Sequence, residues 1–453
     1  MKKEWTSGKI ALGFLGIMAV LFTWCNLMGP VAGMGGGDYF QIASGGFFLN
    51  SGNGCQTWFS AIPFENSYTG TMNWILRPLS LLVSGIDVRI LAVLYFIAVA
   101  TAFSLLLWKM PVEKLWHKFL IGGVATFLFF DFAYLLHLNS MNPEGAFYCL
   151  ILVMICVLLS QLSGKPGMIR NILYLALAFF VAGIKTGYYW IGILLSLCLL
   201  PTLLVRKELW YRIVTVVLTL VVSVGCVACF ADGVYFQKDQ QNHFHSVYYG
   251  VLKDNSDPSA ITALGLPQDA TSYVGKTVYE VDSSVVDDAT YHVGYPDIIS
   301  YYLSHPAALW AKMERSADNG YEIRQQYVSN YPEYQKIKYG FNGYSAIKRR
   351  FLQPDFWFVL AVLGAVIVFC ALQLKKEISD SKKAYHLFLI LLCITTLAAF
   401  MAPVVISGEA ALSAELFLYN LLFDIVFCHI IVGGTIILLK RRENIQKKYG
   451  VQQ

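Results

Sequence analysis

Ten stretches of predominantly apolar residues dominate this sequence, at roughly 9–29, 89–108, 119–138, 145–162, 171–184, 187–205, 213–231, 356–374, 386–407 and 415–439. A bilayer core about 30 Å thick needs about 20 apolar residues per helical crossing. Backbone polar groups inside it must be satisfied within the segment, which a helix achieves. The pattern therefore predicts an all-α polytopic membrane protein with about ten transmembrane helices. Composition excludes an ordinary soluble fold, with 57% hydrophobic and only 14% charged residues. The first apolar run is too long for a cleavable signal peptide and leads into Met28-Gly29-Pro30, not a small-x-small cleavage site, so it is read as an anchor.

Orientation follows from Lys and Arg, which are retained on the cytoplasmic side of short loops. They fall in alternate segments: Lys2, Lys3 and Lys9; Lys109, Lys114 and Lys118; Lys165 and Arg170; Arg206, Lys207 and Arg212; Lys375, Lys376, Lys382 and Lys383; and the tail from Lys440 to Lys448. The segments 139–144 and 408–414 hold none. Ten crossings place both termini in the cytoplasm of a plasma-membrane protein, and two larger regions, 30–88 and 232–354, outside. The expected organisation is an N-terminal module of seven spans over 1–231, an extracellular cap over 232–354, and a C-terminal module of three spans over 355–453.

The net charge of +5 is accounted for by the cytoplasmic anchors and argues for no nucleic-acid partner. The 232–354 segment is acidic, with 11 Lys or Arg against 14 Asp or Glu. Nine of the ten cysteines lie in or at the ends of spans; Cys55 alone sits in an outer loop, so no external disulfide is expected within the chain. In the first outer loop, 71–84 (Thr-Met-Asn-Trp-Ile-Leu-Arg-Pro-Leu-Ser-Leu-Leu-Val-Ser) reads as interfacial helix. Turn clusters and an amphipathic pattern over 296–328 make the second region a mainly helical cap. Its many tyrosines are suited either to carbohydrate or to an interfacial belt. No internal repeat or nucleotide-binding fingerprint is present, which argues against a sugar-nucleotide donor or an ATP-driven pump.

Three motifs carry polar groups to the outer ends of the spans. Gly35-Gly36-Gly37-Asp38-Tyr39-Phe40-Gln41 follows the first span. Its glycines allow a tight turn and close approach to a ligand, and a partly desolvated Asp38 is a candidate general base, or else a polar turn at a helix end. Asp131-Phe132-Ala133-Tyr134, then Asn139-Ser140-Met141-Asn142-Pro143-Glu144, ends the third span. An intramembrane carboxylate such as Asp131 marks a functional site or an internal pair, and Tyr134 shares its helix face. Glu144 opens the fourth span, where a helix N-terminus favours an anion. Gly183-Ile184-Lys185-Thr186-Gly187-Tyr188-Tyr189-Trp190 places a lysine in an apolar stretch, either to meet a phosphate head group or to snorkel to the interface. Lys348-Arg349-Arg350 breaks the positive-inside pattern and offers further cations to anionic lipid head groups. His243 and His245 are candidate acceptor or metal contacts.

These motifs resemble the GT-C superfamily of membrane glycosyltransferases, and more narrowly the Gram-positive glycan-biosynthesis hexose transferases of the WsfD type. The outer segment from Asn242 to Leu252, with Asp257-Pro258, and Tyr301-Tyr302-Leu303-Ser304-His305-Pro306 are similar as well. The first loop lacks the Asp-Glu pair of many superfamily members. The resemblance implies a GT-C-like helical bundle with its acidic catalytic residue and interfacial helices in the first outer loop, and a polyprenyl-phosphate-sugar donor. It makes the expected activity transfer of a hexose to a cell-wall or surface glycan on the outer face. Asp38 would act as base and Glu144 would support it or position the acceptor. Lys185, Arg349 and Arg350 would hold the donor phosphate, with Asp131, Tyr134, Asn139, His243 and His245 lining the substrate site. One base and direct displacement predict inversion. No cofactor or metal is required by this reading, which leaves a divalent cation open. The rival reading is a transporter or lipid flippase for a glycan precursor, although charges near the midplane and paired repeats would then be expected.

Overall fold

In a computed structural model, the described residues are 2–27, 71, 75, 88–112, 114–138, 143–185, 187–230, 240–253, 260–261, 264–282, 284–286, 293–323, 341–352, 355–410 and 412–449. Among them there are helices and turns and no strand, and the protein is an all-α polytopic membrane protein. Among the described residues, seven helical segments are long and apolar enough to cross a bilayer: Trp5–Leu27, Arg89–Lys109, Pro143–Leu162, Leu209–Cys229, Phe356–Lys376, Asp380–Ser407 and Phe417–Asn444.

The other three apolar stretches differ from straight crossings. The predicted span 119–138 is a bent pair, α3 (Trp116–Phe129) and α4 (Phe132–Leu138), meeting at 65°. The cause is local: the Asp131 carboxylate accepts from Ala133 N at 2.9 Å, capping α4 where α3 has ended. The stretches 171–184 and 187–205 form α6 (Met168–Ala182) and a pair of short helices, α7 (Tyr189–Leu197) and α8 (Thr202–Val205). At 1.5 Å per residue, the 15 residues of α6 cover about 22 Å, short of a full hydrocarbon core.

The bundle also contains α1 (Lys2–Phe22), α2 (Val88–Lys109), α5 (Pro143–Leu162) and α9 (Leu209–Phe230), then α14 (Phe356–Lys376), α15 (Asp380–Ser407), α16 (Leu412–Glu415) and α17 (Phe417–Tyr449). Pro143 at the first position of α5 loses no hydrogen bond, because the first N–H groups of a helix have no internal acceptor. Helix α5 is buried along most of its length, whereas α9 and α14 turn large apolar side chains outward, as lipid-facing helices do. Helix α15 starts behind Ser379 and ends at Gly408 with φ +61. A side chain is disfavoured there on conformation, and a Cβ would sit 2.6 Å from His245 O and 2.7 Å from Gly250 N.

The described residues between 240 and 352, called the cap below, are mainly helical: α10 (Gln240–Phe244) running into a π-helical turn His245–Val251, two 3₁₀ turns, α11 (Tyr295–Ser304), α12 (Pro306–Asn319) and α13 (Gly343–Phe351). It is fixed to the end of α15 by backbone acceptors. Ser246 Oγ donates to Val405 O at 2.5 Å, Tyr295 OH to Ile406 O at 3.2 Å, and Glu409 N to Tyr249 O at 3.2 Å. Its buried side chains, among them Phe244, Tyr301 and Met313, belong to the same apolar cluster as the bundle, so cap and bundle share one core.

Candidate functional site

At the cap end of the bundle, three chain segments bring charges together. Glu144 lies in the first turn of α5, Lys185 in the turn after α6, and Glu415 at the end of α16. Lys185 Nζ stands 3.2 Å from Glu144 Oε1 and 3.3 Å from Glu415 Oε1. Tyr188 donates its hydroxyl to Glu415 Oε2 at 2.6 Å. The side chains are 4% (Lys185), 1% (Glu144) and 14% (Glu415) exposed, so one ammonium serves two carboxylates almost out of water. Desolvating each ion costs several kcal/mol, and the formal sum of the three is −1. Both Glu144 oxygens are buried and, among the described residues, accept no hydrogen bond. The next residue makes the placement possible: a Cβ on Gly145 would come within 2.7 Å of His137 O, so a larger residue would force α4 away from the start of α5.

Thr71, in the segment between α1 and α2, reaches this place. It is buried and donates its N–H to Gly183 O at 3.1 Å and its hydroxyl to Phe180 O at 2.5 Å. The segment is thereby tied two residues before Lys185. Asp38 and Asn139, expected at the site, lie outside the described residues.

A second buried group gathers elsewhere. Lys348 on α13 contacts Asp424 Oδ1 at 2.6 Å and Asn420 Oδ1 at 2.8 Å, both on α17. Tyr134 and Tyr344 each donate to the Asp424 carboxylate at 2.5 Å. Lys348 and Asp424 are fully buried, and both oxygens of Asp424 accept hydrogen bonds, Oδ1 from Lys348 and Tyr344 and Oδ2 from Tyr134. Asp131, expected to meet substrate, turns both oxygens to backbone instead. Besides Ala133, it accepts from Tyr344 N at 2.9 Å and Ser345 N at 3.1 Å, which caps the start of α13. Asp131 therefore joins α4 to α13, and Tyr134 is committed to Asp424.

The remaining candidates sit apart from Lys185. Helix α13 turns Tyr344 and Lys348 inward, one helical turn apart, so Arg349 and Arg350 face outward and are exposed; Arg350 lies over the Phe351 ring. His243 packs on Tyr295, with ring centroids 4.8 Å apart, and His245 Nε2 accepts from Val278 N at 3.0 Å. Burial pushes both imidazoles down to about 4. Such neutral rings hold the cap together. Among the described residues no group of three His, Cys, Asp or Glu could hold a metal ion, and the nine described cysteines are free.

A family model described as the YfdI N-terminal transmembrane domain matches residues 2–451. The chain belongs to this family. No curated protein and no solved structure matches it.

In this YfdI-type domain, sequence reasoning missed Glu415, Asp424 and Glu409. Asp424 carried a usable signal, being a carboxylate inside the apolar stretch 415–439. Glu415 gave none, because a charge at the edge of a span reads as a boundary. Glu409 lies in the turn after α15, within reach of Lys312 at 2.6 Å, Arg315 at 2.8 Å and Lys253 at 3.0 Å. Burial raises its carboxyl, but those three cations outweigh it and hold the group below its ordinary range. The cluster pins α12 over the turn that leads to Glu415.

Proposed function

We propose that this membrane protein is a glycosyltransferase of GT-C type that moves a hexose from a polyprenyl-phosphate carrier to a cell-wall or surface glycan on the outer face. The observation that carries the reading is Glu144. Its carboxylate is buried beside an ammonium, has unused acceptor capacity, and lies at the bundle end to which Thr71 ties the first long loop. Sugar hydroxyls are the donors such a carboxylate suits. Lys185 supplies the cation that a departing lipid phosphate needs, since that group leaves as an anion and requires charge compensation, not protonation. Binding of the phosphate would draw Lys185 from Glu415, which Tyr188 continues to hold. Asp38 is the proposed base for the acceptor hydroxyl, with Glu144 orienting the acceptor. One base and one displacement give inversion.

A lipid flippase is the second reading, favoured by the buried Lys348–Asp424 pair inside the bundle. Mass analysis of surface glycan from a strain lacking the protein separates the two. A transferase predicts a glycan missing single hexose units, restored by the natural chain and by neither Lys185→Met nor Asp38→Asn at equal protein level. A flippase predicts loss of whole repeat units. Full restoration by both variants would overturn the transferase reading.

A further inference from the structure

A large cavity opens at the other end of the bundle. Helix α15 has 28 residues, about 42 Å of length, so the turn at its start lies far from Glu409 and Glu415. Beside that turn is a space of about 1260 Å³ among α2, α3, α5, α14, α15 and α17. Its depth is lined by side chains such as Val99, Phe103, Leu152 and Val366, and its mouth by Ser163, Gln373, Ser381 and Lys382. Tyr385 and His429, two polar groups in its wall, share a 2.8 Å hydrogen bond with each other. Water gains little in so apolar a space, and the volume exceeds the roughly 300–1,000 Å³ usual for compact small-molecule sites.

Two independent observations indicate an occupant. Gly433 and Gly434 lie side by side within α17, in the cavity wall, and a Cβ on either would meet nothing within 4 Å. Glycine in a helix interior costs about 1 kcal/mol relative to alanine, and no neighbouring atom requires it here. What the pair does provide is room. The mouth, in turn, carries a cation: Lys382 lines it, with Lys383 next to it at the start of α15 and Lys375 and Lys376 in the last turn of α14, while the neighbouring Asp380 is taken by Lys207 at 2.7 Å. Lys382 reaches Glu377 only at 3.4 Å and is 65% exposed.

We propose that this cavity is a binding site for an anionic phospholipid, with acyl chains between the helices and the phosphate head group at Lys382. The shape separates the two parts of such a molecule, since the deep walls are apolar and the one lysine among the lining residues, Lys382, is at the mouth. A basic pocket between helices on the face that retains Lys and Arg is where anionic head groups are held. The site is independent of the Glu144–Lys185 chemistry and lies at the opposite end of α15.

The test is photolabelling of the full chain in phosphatidylcholine vesicles containing phosphatidylglycerol with a diazirine at the acyl terminus, the adducts being mapped by peptide mass analysis. Labelling is expected on 425–430 of α17 and on 152–156 of α5, the deep part of the lining, with phosphatidylglycerol favoured over a diazirine phosphatidylcholine. The Gly433→Phe/Gly434→Phe variant fills open space and should lower labelling on the order of tenfold. Lys382→Glu, an exposed change that leaves the fold intact, should lower the preference for phosphatidylglycerol on the order of tenfold. Equal labelling by the two lipids in the natural chain, or undiminished labelling in a folded Gly433→Phe/Gly434→Phe variant, would overturn the proposal.

Discussion

Lys348 and Lys185 are both buried beside carboxylates, and their surroundings differ in kind. Lys348 has one carboxylate and one amide oxygen at 2.6 and 2.8 Å, and Asp424 takes two tyrosine hydroxyls in addition. The charges cancel and both ions are fully buried. Lys185 has two carboxylates at longer range, 3.2 and 3.3 Å, and Glu144 keeps unused acceptor capacity. A closed group of the first kind fixes α13 to α17. An open group of the second kind has something left to bind. Burial alone does not separate a structural ion pair from a site; the count of unsatisfied acceptors does.

The comparison breaks most visibly through Asp424→Ala. Removing one partner of a buried pair costs about 3–5 kcal/mol, so the variant should show a marked fall in unfolding temperature in detergent, while the double change Lys348→Met/Asp424→Leu recovers most of it. Lys185→Met should behave in the opposite way. On the proposed function, transfer of hexose to the glycan should fall on the order of 100-fold, the scale of losing one preorganised electrostatic group. Its unfolding temperature should fall less than that of Asp424→Ala. If Lys185→Met proves the less stable of the two and keeps its activity, the distinction between open and closed groups is wrong.

Gly145→Ala sharpens the geometry of the open group. A Cβ placed 2.7 Å from His137 O should cost about 1–3 kcal/mol by overpacking, and should impair transfer beyond what the loss of folded protein explains.

The cap histidines give a pH signature. Their folded values near 4 lie below the ordinary 6.5, so the unfolded state takes up protons first as pH falls. The stabilisation is complete above about 6.5 and is lost between there and about 4. Hydrogen exchange over 240–251 should therefore quicken across that window, and His245→Gln should flatten its share of the response.

The smallest effect is expected from Thr71→Val, which removes one hydroxyl bond worth about 1 kcal/mol. Protease sensitivity of the first outer loop reads it out, and a loop held equally well would deny the tether its role.

Much of this architecture is legible in the amino-acid order. Lipid imposes one strict rule, that a crossing segment must be long, apolar and internally hydrogen-bonded; among the described residues seven segments obey it, whereas three of the ten counted apolar stretches are bent or shortened. The helical cap was legible too, from turn clusters and amphipathic spacing. Glu144 and Lys185 stood out because charge near an apolar span is expensive. Asp131 stood out for the same reason, and the same rule could not tell a helix clamp from a ligand contact.

Sequence alone thus determined that the chain lives in a membrane as a set of helices and that certain charges there need partners. Which partners they have was decided by tertiary structure. Glu415 lies 230 residues beyond Lys185 and Asp424 lies 290 beyond Tyr134, and no local periodicity encodes such meetings. They follow from how bent and shortened helices pack, and from single close approaches such as Gly145 against His137 and Gly408 against Gly250, where an extra methyl group would hold the segments apart.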